Sequence, residues 1–259
     1  MTPPADHFSH LAPEYAACRP RYPDELFDYL GKQVSRHDLA WDCAAGSGQA
    51  AIPLARRFKR VIATDISAAM LQQAPRHPAV EYRVAPAEAS RLEDASVDLV
   101  TVAQALHWLD PETFYAEAAR VLVPGGVLAV WTYGVQYLDD PALDRILRRF
   151  YHDIVGPYWP AERRHVEAGY RTLPFPFPEM QPPVLVMQED WKLAGLLGYV
   201  GTWSATQRYR EAVGRDPVDE LGRDLGRHWG NDSASRRIRW PLTLRAGRRP
   251  TCLGPASGP

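Results

Sequence analysis

The chain has few cysteines and no excess of charge of either sign. Its 259 residues include only three cysteines, at positions 18, 43 and 252, and none of them forms a C-x-x-C pair. This spacing argues against a disulfide framework or a zinc site and fits a reducing cytoplasm, so we expect no metal cofactor. The 30 basic and 31 acidic residues leave a net charge of -1, which argues against nucleic acid or an anionic membrane as a partner.

Long apolar runs are also lacking. Residues 1–13 mix prolines, histidines and an acid without an apolar stretch, so we expect no signal peptide. No window reaches the length and apolar character of a membrane span. The length itself is compatible with one large α/β domain or with a domain that carries an inserted lid.

The clearest local pattern is a short apolar strand that runs into a glycine-containing turn and then into a helix. This pattern occupies residues 39–49, where Gly46 and Gly48 can adopt positive φ and let a ligand approach the backbone closely. Asp65 ends the next strand, nineteen residues beyond Gly46, and a carboxylate at that place can accept hydrogen bonds from both hydroxyls of a ribose. The pattern therefore predicts a site for a nucleoside ligand.

Strands and helices alternate in the first half of the chain. Strands are predicted at 39–43, 61–65, 80–85, 97–103 and 127–132, with helical segments at 49–58, 67–74 and 111–122. Such alternation implies a parallel sheet with right-handed crossovers. Residues 97–103 are almost continuously apolar, as a central strand buried on both faces should be. The first half is therefore predicted to be a five-stranded doubly wound sheet.

The second half is less regular. Seven prolines between residues 156 and 183 argue against a helix or a central strand there, so we interpret the stretch from about 152 to 183 as a lid insertion. The remaining elements are predicted as helices at 140–151, 193–213 and 217–228, a strand at 184–187 that continues toward Trp191, and a final strand at 237–245.

Three regions follow from this pattern. Residues 1–25 carry aromatic and basic side chains interrupted by prolines and are interpreted as an arm that covers a bound ligand. Residues 26–246 form the predicted α/β domain. Residues 247–259 are rich in glycine, proline and serine and are predicted to be a disordered tail.

Several segments, in this order and spacing, resemble the class I S-adenosylmethionine-dependent methyltransferases, and in particular the small-molecule group related to trans-aconitate methyltransferase. The resemblance covers about 8 to 246. Residues 42–49 are similar to the first motif of the family, although Ala44 stands where the family has its first glycine. The other matching segments are Asp65-Ile66, Ala87-Glu88, Gln104-Ala105-Leu106-His107-Trp108, 122–126, 202–209 and 239–242.

The resemblance implies a fold and a cofactor. The fold is a Rossmann-like seven-stranded sheet, mostly parallel, with an antiparallel last strand and helices on both faces. The cofactor is S-adenosyl-L-methionine, and its implied contacts are Tyr15, Arg19, Asp42, Ala44, Gly46, Gly48, Gln49, Asp65, Ile66, Met70, Ala87, Glu88, Gln104, Ala105 and His107. The expected partner is a small-molecule methyl acceptor, and the expected state is a monomer or a homodimer.

The acceptor decides what the site must do. A carboxylate is ionised at neutral pH and needs only orienting cations, for which Arg19, Arg21, Arg163, Arg164, Arg171 and Arg208 are candidates. A phenol or an amine would benefit from a general base, and His107 is the nearest candidate for such a catalytic role. We expect O-methylation of a carboxylate, with a substrate pocket built from Tyr22, Trp108, Trp131, Tyr133, Arg171 and Trp203.

Two other interpretations of the same residues stay open at this stage. Gly46, Gly48 and Ala51 also satisfy the dinucleotide pattern G-x-G-x-x-G/A, with Asp65 at about the right distance for an NAD-dependent dehydrogenase. No second dinucleotide half follows the third strand, however. A protein that binds the cofactor without catalysis is the other alternative, because a fold does not by itself imply a function.

Overall fold

A mixed β-sheet forms the centre of the protein. The computed structural model describes residues 19–231 and 233–251, and within this part the sheet has eight strands. They are β1 (Leu39–Cys43), β2 (Arg60–Asp65), β3 (Val80–Val84), β4 (Val97–Ala103), β5 (Leu122–Tyr133), β6 (Tyr137–Leu138), β7 (Leu185–Lys192) and β8 (Ser235–Arg248).

The helices lie on both faces of this sheet. They are α1 (Asp24–Gln33), α2 (Ala51–Ala55), α3 (Ala68–Gln72), α4 (Pro111–Val121), α5 (Pro141–Arg149), α6 (Arg163–Glu167), α7 (Leu193–Gly201), α8 (Ser204–Val213) and α9 (Pro217–Trp229). Short 3-10 turns occur at Leu106–Trp108 and Gly156–Tyr158, and a π-helical turn at Phe150–Ile154. Across the described ranges, each helix falls short of the length and apolar character that crossing a bilayer requires.

The strand order confirms the predicted Rossmann-like arrangement. The strands follow the order β3-β2-β1-β4-β5-β8-β6, and β7 pairs antiparallel with residues 235–242 of β8. The first five strands are parallel, whereas β8 runs antiparallel to β5. Seven of the strands were expected from the sequence. The eighth, β6, contains only two residues, which is too short for an alternating pattern to reveal.

Both faces of the sheet are covered by apolar side chains. Val97, Leu99 and Val102 in β4 are fully buried, in agreement with the prediction of a central strand. One face packs against α4 and α6, and the other packs against α1, α2, α5, α7 and α9. The carboxyl ends of β1, β2, β4 and β5 consequently lie along one edge of the parallel part of the sheet.

The single helix predicted over 193–213 is wrong, because the chain forms two helices there. Trp203 adopts extended backbone angles between α7 and α8, and its indole ring packs edge-on against the ring of Tyr199 at 5.6 Å. The hydroxyl of Thr202 donates to the carbonyl oxygen of Tyr199 and thereby takes an acceptor of the last turn of α7. Burial of a large aromatic side chain has overridden the helical periodicity.

The proline-rich stretch contains more regular structure than its composition suggested. Helix α6 lies in a proline-free section of it, so the expectation that it excludes a helix was wrong. Trp159, Pro160 and Arg163 line a cavity at the carboxyl ends of the parallel strands. Phe175 and Phe177 pack against the face of the sheet that carries α4. A lid role for residues 152–183 stays a prediction.

Candidate functional site

A cavity opens at the carboxyl ends of the parallel strands β1 to β5, where open α/β sheets bind their ligands. Most of its lining residues follow these strands directly. The loop after β1 contributes Ala44, Ala45, Gly46, Ser47, Gln49 and Ala50, and the ends of β2 and β3 contribute Asp65, Ile66, Ser67, Met70, Ala85, Ala87 and Glu88. The end of β4 contributes Ala103, Gln104, Ala105, His107, Trp108 and Leu109.

Asp65 ties the loop after β1 to the end of β2. One carboxylate oxygen, Oδ2, accepts the backbone N–H of Gly46 at 2.8 Å, and the other, Oδ1, accepts the backbone N–H of Ser67 at 2.8 Å. Asp65 lines the cavity, and an ionised carboxylate has about four acceptor positions. Such acceptor oxygens suit a ligand that offers two neighbouring hydroxyl groups as donors, such as a ribose.

The two glycines of the loop have different roles. Gly46 has a φ of +54°, lines the cavity and lets its N–H reach Asp65. Gly48 has a φ of +77°, but a Cβ atom there would lie 2.7 Å from the hydroxyl oxygen of Tyr82. Gly48 is absent from the residues that line the cavity. Its glycine is therefore required by packing, and the structure does not place it among the cofactor contacts that we predicted.

Ala44 occupies the left-handed region that the family's glycine would adopt freely. Its φ is +54°, a conformation that costs an L-residue roughly 1–2 kcal/mol because its Cβ approaches the following carbonyl oxygen. The fold tolerates the alanine by accepting this backbone strain, and the methyl group lines the cavity. Alanine in place of the family's glycine therefore introduces backbone strain at position 44.

Asp42 lies beneath the loop and is fully buried. The hydroxyl of Thr101 donates to its Oδ1 at 2.9 Å, whereas Oδ2 has no hydrogen-bond partner. Burial raises the pKa of Asp42 to about 7, and the nearby negative charge of Asp65 acts in the same direction. Asp42 does not line the cavity, so its predicted contact with the cofactor is not a direct one in this structure.

Gln104 fixes the end of β4 against β5. Its φ is +57°, and its Oε1 accepts hydrogen bonds from the hydroxyl of Thr132 at 2.5 Å and from the backbone N–H of Tyr133 at 3.0 Å. These bonds hold the side chain in a single orientation in which the amide nitrogen remains a donor. Since Gln104 lines the cavity, it can offer that donor to a bound ligand.

His107 lines the cavity and is held from behind by Tyr170. Its Nδ1 lies 3.0 Å from the hydroxyl oxygen of Tyr170, which is fully buried. Burial, together with the smaller effect of the positive charges of Arg163 and His165, lowers the pKa of His107 to about 3. The imidazole is therefore neutral at physiological pH.

Two arginines carry positive charge at the cavity wall. Arg19 donates through Nη1 to the hydroxyl of Tyr133 at 2.9 Å and lies 5.4 Å from the centre of the Tyr199 ring. Arg163 lies 4.6 Å from the centre of the Trp159 ring, and its Nε donates to the hydroxyl of Tyr151 at 2.9 Å. Both guanidinium groups are thus oriented by aromatic neighbours.

Arg163 has no acidic side chain as a direct partner among the described residues. Within the described ranges, no carboxylate lies within salt-bridge distance of its guanidinium group. The one carboxylate in its network, that of Glu167, accepts its bond from the hydroxyl of Tyr151 at 2.6 Å. Arg163 therefore faces the cavity with its charge unneutralised by a direct partner.

The predicted substrate residues are only partly brought together. Those that line the cavity are Tyr22, Trp108, Tyr133 and Trp203. Trp131 is fully buried and packs edge-on against the ring of Phe27 at 6.1 Å, so it belongs to the core. Arg171 is exposed and lies outside the cavity. Tyr15, predicted to cover the cofactor, lies outside the described residues.

Sequence reasoning missed several of the residues that line the cavity. Ser67, Trp159, Tyr199 and Ser204 are among them. Ser67 could have been found, because a serine directly before a helix is a common N-cap and its Oγ accepts the N–H of Met70. Trp159 and Tyr199 reach the cavity from the irregular second half of the chain, and no local signal identifies them. Ser204 lies within the family-like segment 202–209, but it was not identified there as a site residue.

Comparison with known proteins gives the family. Residues 41–130 match the model described as a methyltransferase domain. The chain is 32% identical over 223 residues to a provisionally named methyltransferase of Dictyostelium discoideum, which covers 85% of each chain. It is 40% identical over 175 residues to an uncharacterised methyltransferase of Mycobacterium tuberculosis, covering 62% of this chain and 69% of the relative.

A solved structure agrees over almost the whole domain. A provisionally named type II methyltransferase from Anaeromyxobacter dehalogenans is 47% identical and superposes with a TM-score of 0.85, covering 90% of this chain and 99% of that one. The protein therefore belongs to the class I S-adenosylmethionine-dependent methyltransferases. S-adenosyl-L-methionine is the methyl donor of this family, and the dehydrogenase interpretation of the glycine loop is set aside.

Proposed function

We propose that this methyltransferase transfers a methyl group to a carboxylate oxygen of a small molecule. The observation that carries the proposal is Arg163, a cavity arginine without a direct acidic partner among the described residues, beside a histidine that is neutral at physiological pH. A cation without a strong general base suits an acceptor that is already ionised. The proposed setting is the cytoplasm, with a monomer or homodimer as the working state.

The residues of the cavity fit the donor in a consistent order. Asp65 offers acceptor oxygens for the ribose hydroxyls, and Ala87 with Glu88 forms the wall that would flank the adenine. The loop after β1 and Gln104 would hold the amino-acid part. Arg19 would balance the carboxylate of that part, which leaves Arg163 for the acceptor. The family resemblance implies these roles, and the residues to which they are assigned line the same cavity.

The reaction makes few chemical demands on the protein. The bound donor supplies a methyl group that is already activated by the positive charge on sulfur. A lone pair of the acceptor's carboxylate oxygen forms the new O–CH3 bond as the C–S bond breaks, and the electron pair of that bond stays on sulfur. No proton leaves the acceptor. Arg163 and the aromatic wall therefore need only to align the carboxylate and exclude water.

His107 would act as a hydrogen-bond donor or spacer in this scheme. A conjugate acid with a pKa of about 3 belongs to a weak base, so removal of a proton from a phenol or amine by His107 is disfavoured. This supports a carboxylate over the other acceptor classes. Trans-aconitate, the acceptor of the group that the sequence resembles, is one candidate of the proposed class.

The proposal is tested by the chemistry of the product. The protein is incubated with methyl-labelled S-adenosyl-L-methionine and a panel of small mono-, di- and tricarboxylates, phenols and amines. Methyl esters release volatile methanol on treatment with base, whereas methyl ethers and methylamines do not. We expect base-labile label with at least one acid. Label that is confined to phenols or amines would refute the proposal. Donor binding without any methyl transfer would favour the non-catalytic alternative.

A further inference from the structure

The end of the cavity that we assign to the acceptor is rich in aromatic surface, and both cavity arginines lie against it. Trp159 and Trp203 lie with their rings 5.5 Å apart, and the ring of Tyr199 meets that of Trp203 edge-on. Ser204 adds one small polar group. A molecule that occupies this end would therefore lie mostly against aromatic side chains.

Only two cations line the described part of the cavity wall, Arg19 and Arg163. Arg19 bonds to Tyr133 and stacks on Tyr199, and the proposed function assigns it to the donor's carboxylate. Arg163 is then the one guanidinium that the described residues offer to the acceptor. A guanidinium group can bind one carboxylate with two parallel hydrogen bonds.

The position of Arg163 is fixed before any acceptor arrives. The hydroxyl of Tyr151 accepts the Nε–H of Arg163 and donates its own O–H to Glu167, while Trp159 covers one face of the guanidinium group. Since the Nε–H is already used, the terminal nitrogens are the groups left to bind a carboxylate. An arginine that is oriented in advance loses less entropy on binding than a free one.

With Arg19 assigned to the donor, a second carboxylate on the acceptor would find no second cation among the described residues of the wall. The acidic groups at the other end of the cavity, Asp65 and Glu88, would repel it, and His107 stays neutral. Taking an unpaired carboxylate out of water is unfavourable, because its hydration is lost without compensation. The charges of the cavity wall therefore favour acceptors with one carboxylate over acceptors with two or three.

We propose that the acceptor is a monocarboxylic acid with a planar apolar body, whose single carboxylate pairs with Arg163 while its body packs against Trp159, Tyr199 and Trp203. This inference rests on the proposed function and narrows its substrate class. It predicts that acids with two or three carboxylates, trans-aconitate included, are poor acceptors. Methyl transfer converts the paired carboxylate to a neutral ester, which breaks the ion pair and favours product release.

The test compares acids that differ in the number of carboxylates. Cinnamate, 4-carboxycinnamate and trans-aconitate are titrated into the protein saturated with S-adenosylhomocysteine, and their affinities are measured by calorimetry. We expect cinnamate to bind at least about tenfold more tightly than either of the others, a difference of about 1.4 kcal/mol. Equal or tighter binding of 4-carboxycinnamate or trans-aconitate would overturn the inference, as would failure of all three to bind.

Variants link the preference to the named arginine. Arg163→Gln should abolish the advantage of cinnamate, while Arg171→Gln, which removes an exposed arginine nearby in the chain, should leave it unchanged. An advantage that survives Arg163→Gln would overturn the inference. The same three acids are then assayed for ester formation. Methylation of trans-aconitate in preference to cinnamate would overturn this inference and leave the proposed function intact, whereas methylation of phenols or amines alone would overturn both.

Discussion

The hydroxyl of Tyr170 lies 3.0 Å from Nδ1 of His107, at the back of the cavity. Tyr170 is fully buried, and this burial raises the pKa of its hydroxyl group well above the ordinary value for tyrosine. The phenol therefore keeps its proton, which it can donate to Nδ1 of His107. The neutral imidazole is thus expected to carry its proton on Nε2.

Replacing Tyr170 by phenylalanine tests this tautomer directly. In the parent protein, 15N–1H correlation of the imidazole should show the proton on Nε2, because Nδ1 accepts from Tyr170. In Tyr170→Phe the donor is gone, and we expect a mixture of the two tautomers. Tyr115→Phe is the matched control, since its buried hydroxyl donates to the carbonyl oxygen of Pro174. A proton on Nδ1 in the parent protein would show that the orientation is reversed.

His107 itself should matter little to the chemical step. A general base contributes about 10²–10⁴-fold to rate, so His107→Gln should lose less than about tenfold in kcat if the acceptor is already ionised. The pH profile of kcat/KM should also lack a transition from His107 between pH 6 and 9, because its pKa is about 3. A loss of two orders of magnitude with donor affinity unchanged would instead identify His107 as the base.

Ala44 should be replaceable by glycine with a gain in stability. Glycine adopts positive φ without steric cost, so Ala44→Gly should raise the free energy of unfolding by about 1 kcal/mol. The greater conformational entropy that glycine loses on folding should offset part of this gain. The neighbouring Ala45 lacks positive φ, and Ala45→Gly should therefore lower stability by roughly 0.5–1 kcal/mol. Urea unfolding of the two variants compares them, and destabilisation of both would contradict the account of the loop.

Asp42 should make the protein less stable as pH rises. Its pKa is about 7 in the fold and about 3.9 in an unfolded chain, so between these values the folded state holds a proton that the unfolded state has lost. Stability therefore falls from about pH 4 to pH 7 and then levels. Asp42→Asn removes this pH dependence. As the pH rises, the free energy of unfolding of the variant should therefore increase relative to that of the parent protein, by at most about 4 kcal/mol above pH 7.

Urea unfolding at pH 5 and pH 8 measures this difference. Asp38→Asn serves as a control, because a hydrogen bond from Lys59 lowers the pKa of that exposed carboxyl. The stabilisation by Asp38 is present at any pH above its unfolded pKa and is lost only at lower pH. Between pH 5 and pH 8, Asp38→Asn should therefore not become more stable relative to the parent protein. Parallel stability curves for Asp42→Asn and the parent protein would show that Asp42 is ionised without penalty.

The sequence predicted the parts of this protein that depend on local patterns. The alternation of strands and helices gave the parallel sheet, and the segments around Asp65 and Gln104 gave residues that do line the cavity. These predictions succeed because a glycine turn and the end of a buried strand can each be recognised from the pattern of a few consecutive residues. The same motifs, with the resemblance they carry, led to the methyltransferase family.

The sequence did not reveal features that depend on distant packing. Gly48 faces Tyr82 in β3, although both of its neighbours in the chain line the cavity. Trp131 faces α1, although it stands only two residues before the cavity residue Tyr133. Tyr170, Tyr199 and Trp159 approach the site from elements separated by long irregular stretches. Which aromatic residue reaches the cavity is decided by the packing of the whole second half, and no short pattern encodes it.

The central claim is that Asp65 anchors S-adenosyl-L-methionine in this cavity. Calorimetric titration with S-adenosylhomocysteine tests it most directly, with Asp65→Ala and Asp65→Asn beside the parent protein and circular dichroism to confirm that all are folded. Loss of the ribose hydrogen bonds should weaken binding in Asp65→Ala by about 1–3 kcal/mol, or roughly 5- to 150-fold in Kd, with Asp65→Asn between. Equal affinity of the folded Asp65→Ala variant and the parent protein would contradict the account.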